Sequence, residues 1–240
     1  MGIPNKLEKV ITLDGPAGSG KSTIAKRLAE KIGYLHLDSG AIYRAFTYAV
    51  IDKIGEQESI EIFERKFLEL QPHPHEFPLQ VMIENHQQVI YYKEKKLQEE
   101  LRTYNLTQRI KFIADDVRYR SQVNQILRSL GSSYLVVVDG RDMGTEVFPE
   151  AKFKFYLDAS VEIRAQRRYQ EYHQYAKAKG MVLNMDLEKI KNEIALRDHQ
   201  DQSRKFGALR IPHDAILIDT SNLTINMVLS IILSCLQKQF

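Results

Sequence analysis

Disulfide bonds are absent from this sequence, because Cys235 is the single cysteine among its 240 residues. That excludes an internal disulfide and fits a reducing compartment. Long apolar runs are missing too, since no stretch approaches the ~20 residues that a membrane-spanning helix needs. The first ten residues, MGIPNKLEKV, contain no apolar core of the kind found in secretory signals. We therefore expect a cytoplasmic protein without a membrane partner.

A strong excess of one charge is also lacking. Lys and Arg number 34 against 31 Asp and Glu, which leaves a formal net charge of +3. This balance permits anionic ligands, but it is too small to predict binding to a nucleic acid. The apolar pattern leaves no wide exposed stripe for a subunit interface. We expect a monomer that does not bind nucleic acid.

Several catalytic signatures are missing as well. No Ser–His–Asp or Cys–His set is evident, and no Asn-Lys-x-Asp stretch of the kind that reads guanine follows a predicted strand. His73 and His75 lie in a proline-rich turn, where a metal site would need further ligands that the sequence does not offer. We predict an ordinary loop there.

The most informative stretch runs from Gly15 to Thr23 and reads GPAGSGKST. It matches G-x-x-x-x-G-K-S between a β-branched apolar run and a helical pattern, which is the context of a phosphate-binding loop. Glycines let backbone N–H groups turn inward around an anion, and the next helix directs its N-terminus at the same anion. Lys21 can reach the β- and γ-phosphates, and the Ser22 hydroxyl can ligate Mg²⁺. The predicted ATP-binding residues of this loop are Gly15, Pro16, Ala17, Gly18, Ser19, Gly20, Lys21, Ser22 and Thr23.

Apolar patterns predict that strands and helices alternate along the chain. Predicted strands cover 10–13, 35–37, 134–138, 152–157 and 215–218, and predicted helices cover 24–32, 41–53, 59–70, 101–130, 160–178, 186–205 and 224–237. Ser39 is the predicted N-cap of the second helix, and Gly180 is predicted to break the fifth. The alternation indicates an α/β fold with a mainly parallel, doubly wound sheet.

Residues 79–97 depart from this alternation. Apolar and polar residues alternate there on both sides of the polar stretch 84–87, which predicts a β-hairpin. A second turn between residues 92 and 96 stays open. Because the segment interrupts a chain of helices and parallel strands, we interpret it as an insert.

Polar residues follow the apolar run YLVVV at 134–138, whose composition is typical of a strand buried on both faces. They read Asp139-Gly140-Arg141-Asp142, at the strand end where open α/β sheets bind ligands. Asp139 has two equally good interpretations: it holds Mg²⁺ through water, or it caps a loop N–H.

Three stretches together carry a resemblance to a known family. They are the phosphate-binding loop, LDSGAIYR at 37–44 and DGRDMGT at 139–145, and LDASVEIR at 157–164 with RAQRR at 164–168 agrees with them. The chain resembles bacterial-type cytidylate kinases over nearly its whole length. The resemblance implies a P-loop kinase that transfers a phosphoryl group from ATP, with Mg²⁺, to CMP or dCMP.

The resemblance also implies how the chain is divided. Residues 1–38 and 132–240 would form the core of one unit, with an arginine-rich lid at about 160–206. Residues 39–131 would form the part that binds the nucleoside monophosphate, with a small β insert at about 77–98.

Site residues follow from the same motifs. Ser39 and Asp201 would face the ribose, and Asp142 with Arg120 would read the cytosine edge, with Arg118 as the alternative if the register slips. The CMP phosphate would be held by Arg44, Arg141 and Arg204. The full set implied for CMP is Ser39, Arg44, Arg120, Arg141, Asp142, Arg197, Asp201 and Arg204.

The catalytic residues implied are Lys21, Arg141 and Arg197, and the metal-holding residues are Ser22 and Asp139. Arg164 and Arg168 would contact ATP, although a solvated helix face is an equal alternative for them and for Arg167. The residue types suit the reaction, because an arginine fork grips phosphate in two places and stays charged.

Two departures from the family pattern bear on specificity. Lys111 occupies a position near the base where the family usually has serine, and Gln200 and Gln202 replace part of an arginine-rich stretch. The alternative function is another small-metabolite P-loop kinase, acting on UMP, a different nucleoside monophosphate or shikimate. A nucleic-acid-binding module would need arginines on one open face, whereas these cluster at predicted strand ends and lid positions.

Overall fold

The computed structural model describes residues 9–56, 58–178 and 186–238. In its first half the elements are β1 (Val10–Asp14), α1 (Lys21–Ile32), β2 (Leu35–Asp38), α2 (Ser39–Ile54), α3 (Ile60–Leu70), β3 (Leu79–Glu84), β4 (Gln87–Tyr92), β5 (Lys95–Leu97) and α4 (Tyr104–Ala114). In its second half they are α5 (Val117–Ser133), β6 (Val136–Gly140), β7 (Phe153–Asp158), α6 (Val161–Ala178), α7 (Leu187–Ser203), β8 (Ile216–Asp219) and α8 (Ile225–Lys238).

Five strands form one parallel sheet in the order β2-β6-β1-β7-β8. The interior strand β6 shows why helices cover both faces. Val137 packs in the apolar cluster with α1 and α8, whereas Val136 and Val138 belong to the cluster with α2 and α5. Because side chains alternate along a strand, both faces are buried. The predicted doubly wound α/β fold is confirmed.

Strand β6 begins two residues later than predicted. Tyr134 and Leu135 remain 43% and 44% exposed, and the Tyr134 N–H donates to Leu130 O at 2.9 Å. The first two residues of the YLVVV run therefore end helix α5 and connect it to the sheet.

The predicted helix at 101–130 is wrong, since two helices occupy that region. Asp116 caps the second of them: its carboxylate accepts from the Arg118 N–H at 2.8 Å. Aspartate is favoured at N-caps because its side chain satisfies a free N–H of the first turn. The junction Asp115–Asp116 separates α4 from α5.

The predicted N-cap of α2 is also wrong. The Asp38 carboxylate accepts from the Ala41 N–H at 2.9 Å, while Ser39 is the first helical residue. The Ser39 hydroxyl donates instead to Asp139 O at 2.7 Å. Asp38 therefore caps the helix, and Ser39 connects the helix to strand β6.

The predicted insert forms a separate antiparallel sheet of order β3-β4-β5. Both connecting turns use residues with positive φ, Asn85 and His86 in the first and Lys93 and Glu94 in the second. The open question of a second turn is thus answered by a third strand. Within the described parts of the chain, none of the helices has both the length and the apolar character that crossing a membrane requires. Gly180 lies outside the described residues.

Candidate active site

Three acidic residues lie close together at the carboxyl ends of neighbouring parallel strands. The register pairs Asp38 of β2 with Asp139 of β6, and Asp14 of β1 with Gly140. The phosphate-binding loop leaves the sheet from this same edge, directly after Asp14. The site is therefore built where an open α/β sheet binds ligands.

The phosphate-binding loop depends on glycine at its start. Gly15 has φ 151°, and a Cβ there would lie 2.0 Å from the carbonyl oxygen of Leu157 on β7. Lys21 opens helix α1, and its Nζ donates to Pro16 O at 3.0 Å across the loop. Burial and the nearby charge of Arg141 lower the pKa of Lys21 well below its usual value. A bound phosphate would offset both effects, because a nearby negative charge favours the protonated amine.

Ser22 and Asp139 meet next to the loop. The Ser22 hydroxyl donates to one carboxylate oxygen of Asp139, and His36 Nε2 lies 2.6 Å from the other. Burial raises the pKa of Asp139, but its contacts with His36, Lys21 and Ser22 outweigh burial and hold the pKa below its usual value. Burial lowers the pKa of His36, but Asp139 outweighs burial and raises it. His36 was not among the predicted site residues.

These oxygen donors suit Mg²⁺. The cation prefers oxygen ligands and is commonly bound by one or two protein groups together with substrate phosphates. Ser22 and an ionised Asp139 supply a hydroxyl and a carboxylate in contact with each other. The residues present therefore fit the metal that accompanies ATP.

Three arginines surround one carboxylate, and we call this set the arginine cluster: Arg141, Arg197 and Arg204 around Asp201. Arg141 Nε donates to Asp201 Oδ2 at 2.8 Å, and Arg204 Nη2 lies 2.8 Å from Oδ1. Burial raises the pKa of Asp201, but the three guanidinium charges outweigh burial and lower it to about 2. Burial and the charge of Arg141 lower the pKa of Arg197 to about 10, so it stays charged at neutral pH.

Arg44 lies at the other side of the site. Its Nη2 donates to Asp38 Oδ2 at 2.8 Å, whereas its buried Nε has no hydrogen-bond partner among the described residues. A buried donor without a partner is costly, so this nitrogen is suited to an incoming acceptor. Ser39, predicted at the ribose, is 3% exposed and already holds Asp139 O.

Arg120 and Asp142 form a buried ion pair that lies next to Tyr43. The Arg120 side chain is 5% exposed and that of Asp142 is 3% exposed. Arg118, two residues away, pairs with Asp116 on its own helix and donates to Gln71 O. Of the two arginines that the sequence offered, the structure brings Arg120 to Asp142.

The arginines of α6 have different partners in the structure. Arg164 Nη1 lies 2.6 Å from Asp198 and 3.1 Å from Ala17 O, so it contacts the phosphate-binding loop. Arg168 pairs with Glu171 on its own helix, 3.0 Å away. Arg167, which the prediction omitted, donates to Gly18 O at 3.5 Å and to Thr220. Arg167 and Arg168 lie at i+3 and i+4 from Arg164, so helical spacing alone could not distinguish them.

A further buried carboxylate, that of Asp14, connects the strand before the phosphate-binding loop to the turn after Asp142. Asp14 accepts from the Met143 and Gly144 N–H groups at 2.9 and 2.7 Å, which ties the end of β1 to the turn after Asp142. Burial raises the pKa of Asp14 to about 7, although these two hydrogen bonds lower it. Asp14 was not predicted, because nothing in the local pattern indicates its partners.

The family model for cytidylate kinase matches residues 11–238 of the chain. The chain belongs to the cytidylate kinase family. It is 36% identical to the cytidylate kinase of Anoxybacillus flavithermus over 95% of this chain and 96% of that protein. It is 38% identical to that of Exiguobacterium sibiricum, over 92% and 93%, and 38% identical to that of Alkaliphilus oremlandii, over 95% and 97%.

One solved structure, shikimate kinase from Acinetobacter baumannii in complex with shikimate, aligns over 96% of this chain and 94% of its own. Its identity is 19% and its TM-score 0.45, too low to bear on the substrate. Membership of the cytidylate kinase family makes the chain a nucleoside monophosphate kinase, as the sequence motifs predicted. Lys111 is half-buried, and its Nζ lies 4.7 Å from the centroid of the Phe112 ring.

Proposed function

We propose that this chain transfers the γ-phosphoryl group of ATP to CMP or dCMP, giving ADP and the nucleoside diphosphate. The observation that carries the proposal is the arginine cluster, which lies between the phosphate-binding loop and the buried pair Arg120–Asp142. This arrangement offers separate sites for a triphosphate, an acceptor phosphate and a base. Another small-metabolite kinase is not favoured by the family match.

The reaction asks the protein mainly to position two anions and to stabilise charge on the transferring oxygens. Lys21 and the loop N–H groups bind the β- and γ-phosphates. Arg44, Arg141 and Arg204 hold the acceptor phosphate, and Arg197 stabilises the group in transfer. Ser22 and Asp139 would hold Mg²⁺, which would neutralise phosphate charge when bound.

The base and sugar are recognised beside the acceptor phosphate. Asp142 accepts from the amino group of cytosine, which uracil replaces with a carbonyl oxygen, and Arg120 fixes the carboxylate. Ser39 and Asp201 face the ribose, and Arg164 and Arg168 contact ATP. We further propose a cytoplasmic monomer with its core at 1–38 and 132–240, a lid at about 160–206 and a monophosphate-binding part at 39–131.

The proposal is tested by ADP release from ATP and Mg²⁺ with CMP, dCMP, UMP, AMP and shikimate in parallel. We expect strong turnover with CMP and dCMP and little with the others. Equal turnover of UMP would show that the base is not discriminated, and Lys111 would then be the first residue to substitute. If none of the acceptors supports ADP release above the rate without acceptor, the proposed reaction is wrong.

Base reading is tested separately with Asp142→Ala. We expect the CMP-to-UMP ratio of kcat/KM to fall while the affinity for ATP stays unchanged. Arg118→Ala is the matched control, since that arginine pairs with Asp116 and leaves Asp142 alone. An unaltered ratio in Asp142→Ala would remove Asp142 from the base site.

A further inference from the structure

Gly207 lies in the segment that follows α7, three residues after Arg204, and its backbone touches Arg120. A Cβ built on Gly207 would lie 1.7 Å from Nη2, 2.0 Å from Cζ and 2.4 Å from Nε of Arg120. These distances are far inside van der Waals contact, and all three atoms belong to the guanidinium group. Gly207 has φ 62°, a conformation that glycine adopts without strain.

The guanidinium group of Arg120 cannot move without losing a hydrogen-bond partner. Its Nη1 donates to Ala114 O at 2.9 Å, and its Nη2 donates to Asp142. Its Cζ lies 5.6 Å from the centroid of the Tyr43 ring. Bare backbone at position 207 therefore forms one wall of the space that fixes Arg120 on Asp142.

A positive φ does not by itself bring a glycine close to another side chain, as a comparison of Gly207 with Gly33 shows. Gly33 ends helix α1 with φ 74°, close to the value at Gly207, yet a Cβ on Gly33 would meet no atom within 4 Å. A side chain costs backbone strain at both positions. At Gly207 a side chain would also displace the guanidinium group of Arg120, whereas at Gly33 it would displace nothing.

We propose that Gly207 is a positioning residue for base recognition, because its lack of a side chain lets Arg120 hold Asp142 against the base. This inference rests on the proposed function and extends it to the segment after α7. Arg204 of the arginine cluster and Gly207 stand on one short segment. The segment that holds the acceptor phosphate thus also sets the position of the base-reading pair.

A methyl group at position 207 should move Arg120 rather than unfold the chain. The atoms it meets are the far end of a flexible side chain, which shifts more easily than backbone. The shift separates Arg120 from Asp142, and the carboxylate then faces the base without its partner. Hydrogen bonds to charged groups are among the stronger ones, and a misplaced pair weakens discrimination between cytosine and uracil.

The experiment compares Gly207→Ala with Gly33→Ala as the matched control for backbone strain. For Gly207→Ala we expect the CMP-to-UMP ratio of kcat/KM to fall about 10-fold or more, the range for a disturbed charge-assisted bond. The KM for ATP should stay within about twofold of wild type, as expected for a site that is not touched. Gly33→Ala should keep the wild-type ratio.

A double-mutant cycle on melting temperature tests the contact without reference to activity. Arg120→Ala vacates the space that the new methyl group needs, so Gly207→Ala should lower Tm less in the Arg120→Ala background than in wild type. In that background Gly207→Ala should not change the CMP-to-UMP ratio further. Additive Tm changes together with an unchanged ratio in Gly207→Ala would overturn the inference and leave the proposed function intact. A wild-type protein that releases ADP with neither CMP nor dCMP would overturn the proposed function and the inference with it.

Discussion

At the scale of single residues, the site separates its buried carboxylates by their surroundings. Asp201 is 1% exposed, yet three arginines outweigh its burial and lower its pKa to about 2. Asp14 is fully buried with two backbone donors, and burial raises its pKa to about 7. The difference follows from charge: guanidinium groups compensate an anion fully, whereas two N–H dipoles do so in part.

Asp14 should therefore give the protein a measurable pH dependence. Because its folded pKa is raised, its contribution to stability is fully present below pH 4 and is lost as pH rises through about 7. A shift of this size corresponds to roughly 4 kcal/mol. We expect the free energy of unfolding of wild type, relative to Asp14→Asn, to fall between pH 4 and pH 7 in urea titrations. Asp219→Asn, at the exposed end of β8, is the control. A constant difference across that range would contradict the assignment.

Arg44 offers a second test at this scale. Its buried Nε is free of partners among the described residues, so we expect it to bind the acceptor phosphate. Arg44→Ala should weaken CMP binding by about 1.5–3 kcal/mol, the range for charge-assisted bonds, and leave ATP binding unchanged in calorimetry. Arg65→Ala is a control in the same part of the chain, since Arg65 is 67% exposed. Undiminished CMP affinity would place Arg44 outside the site.

At the scale of elements, local patterns predicted the fold, whereas choices between neighbouring residues depended on distant contacts. Gly15 and the strand, loop and helix around it follow from the motif alone. Asp38 and Ser39 are both good N-caps, and the choice depends on where β2 ends against Asp139 of β6. The positions of His36 and Asp14 in the site depend on strands that pair with them across more than a hundred residues.

The insert sheet makes one such distant contact, and it leads to a prediction. Gln88 on β4 accepts from the Asp38 N–H at 2.9 Å and donates to Asp38 O at 3.2 Å. Asp38 in turn holds Arg44, so the hairpin supports the acceptor-phosphate site indirectly. Gln88→Ala should raise KM for CMP about fivefold, the effect of one ordinary hydrogen bond, without changing KM for ATP. Gln80→Ala, on the exposed face of β3, should change neither. A rise in both KM values would indicate general loss of structure.

The junction of α4 and α5 reaches the arginine cluster. Asp115 accepts from Arg204 Nε at 2.6 Å, so Arg204 is shared between Asp115 and Asp201. A CMP phosphate must compete with Asp115 for this arginine. Since Asp115 is 50% exposed, its ion pair with Arg204 is weak. Asp115→Asn should therefore free Arg204 for the phosphate and tighten CMP binding about two- to fivefold in calorimetry. Weaker binding would show that Asp115 holds Arg204 in place for the substrate. Asp219→Asn, at the exposed end of β8, is the control.

At the scale of the whole molecule, the site joins parts of the chain that have separate apolar clusters. The phosphate-binding loop is supported by the cluster around α1 and α8, the acceptor side by the cluster around α2 and α5, and the arginine cluster by the small cluster between α6 and α7. The arginines and Lys21 repel one another, and Asp201, Asp198 and Asp139 compensate them in part. Anionic substrates complete the charge balance and connect all three parts.

Substrate binding should therefore stabilise the whole chain cooperatively. At 100 times its Kd, a ligand that binds the folded state alone adds about 2.7 kcal/mol. For a chain of 240 residues this corresponds to a rise in Tm of roughly 5–10 °C. We expect such a rise with CMP, a smaller one with UMP at the same concentration, and none with shikimate in differential scanning calorimetry. A single transition that moves as a whole is expected, because the ligand contacts parts that rest on each of the three clusters. If CMP instead split the transition in two, the parts would unfold independently and the acceptor would bind one of them.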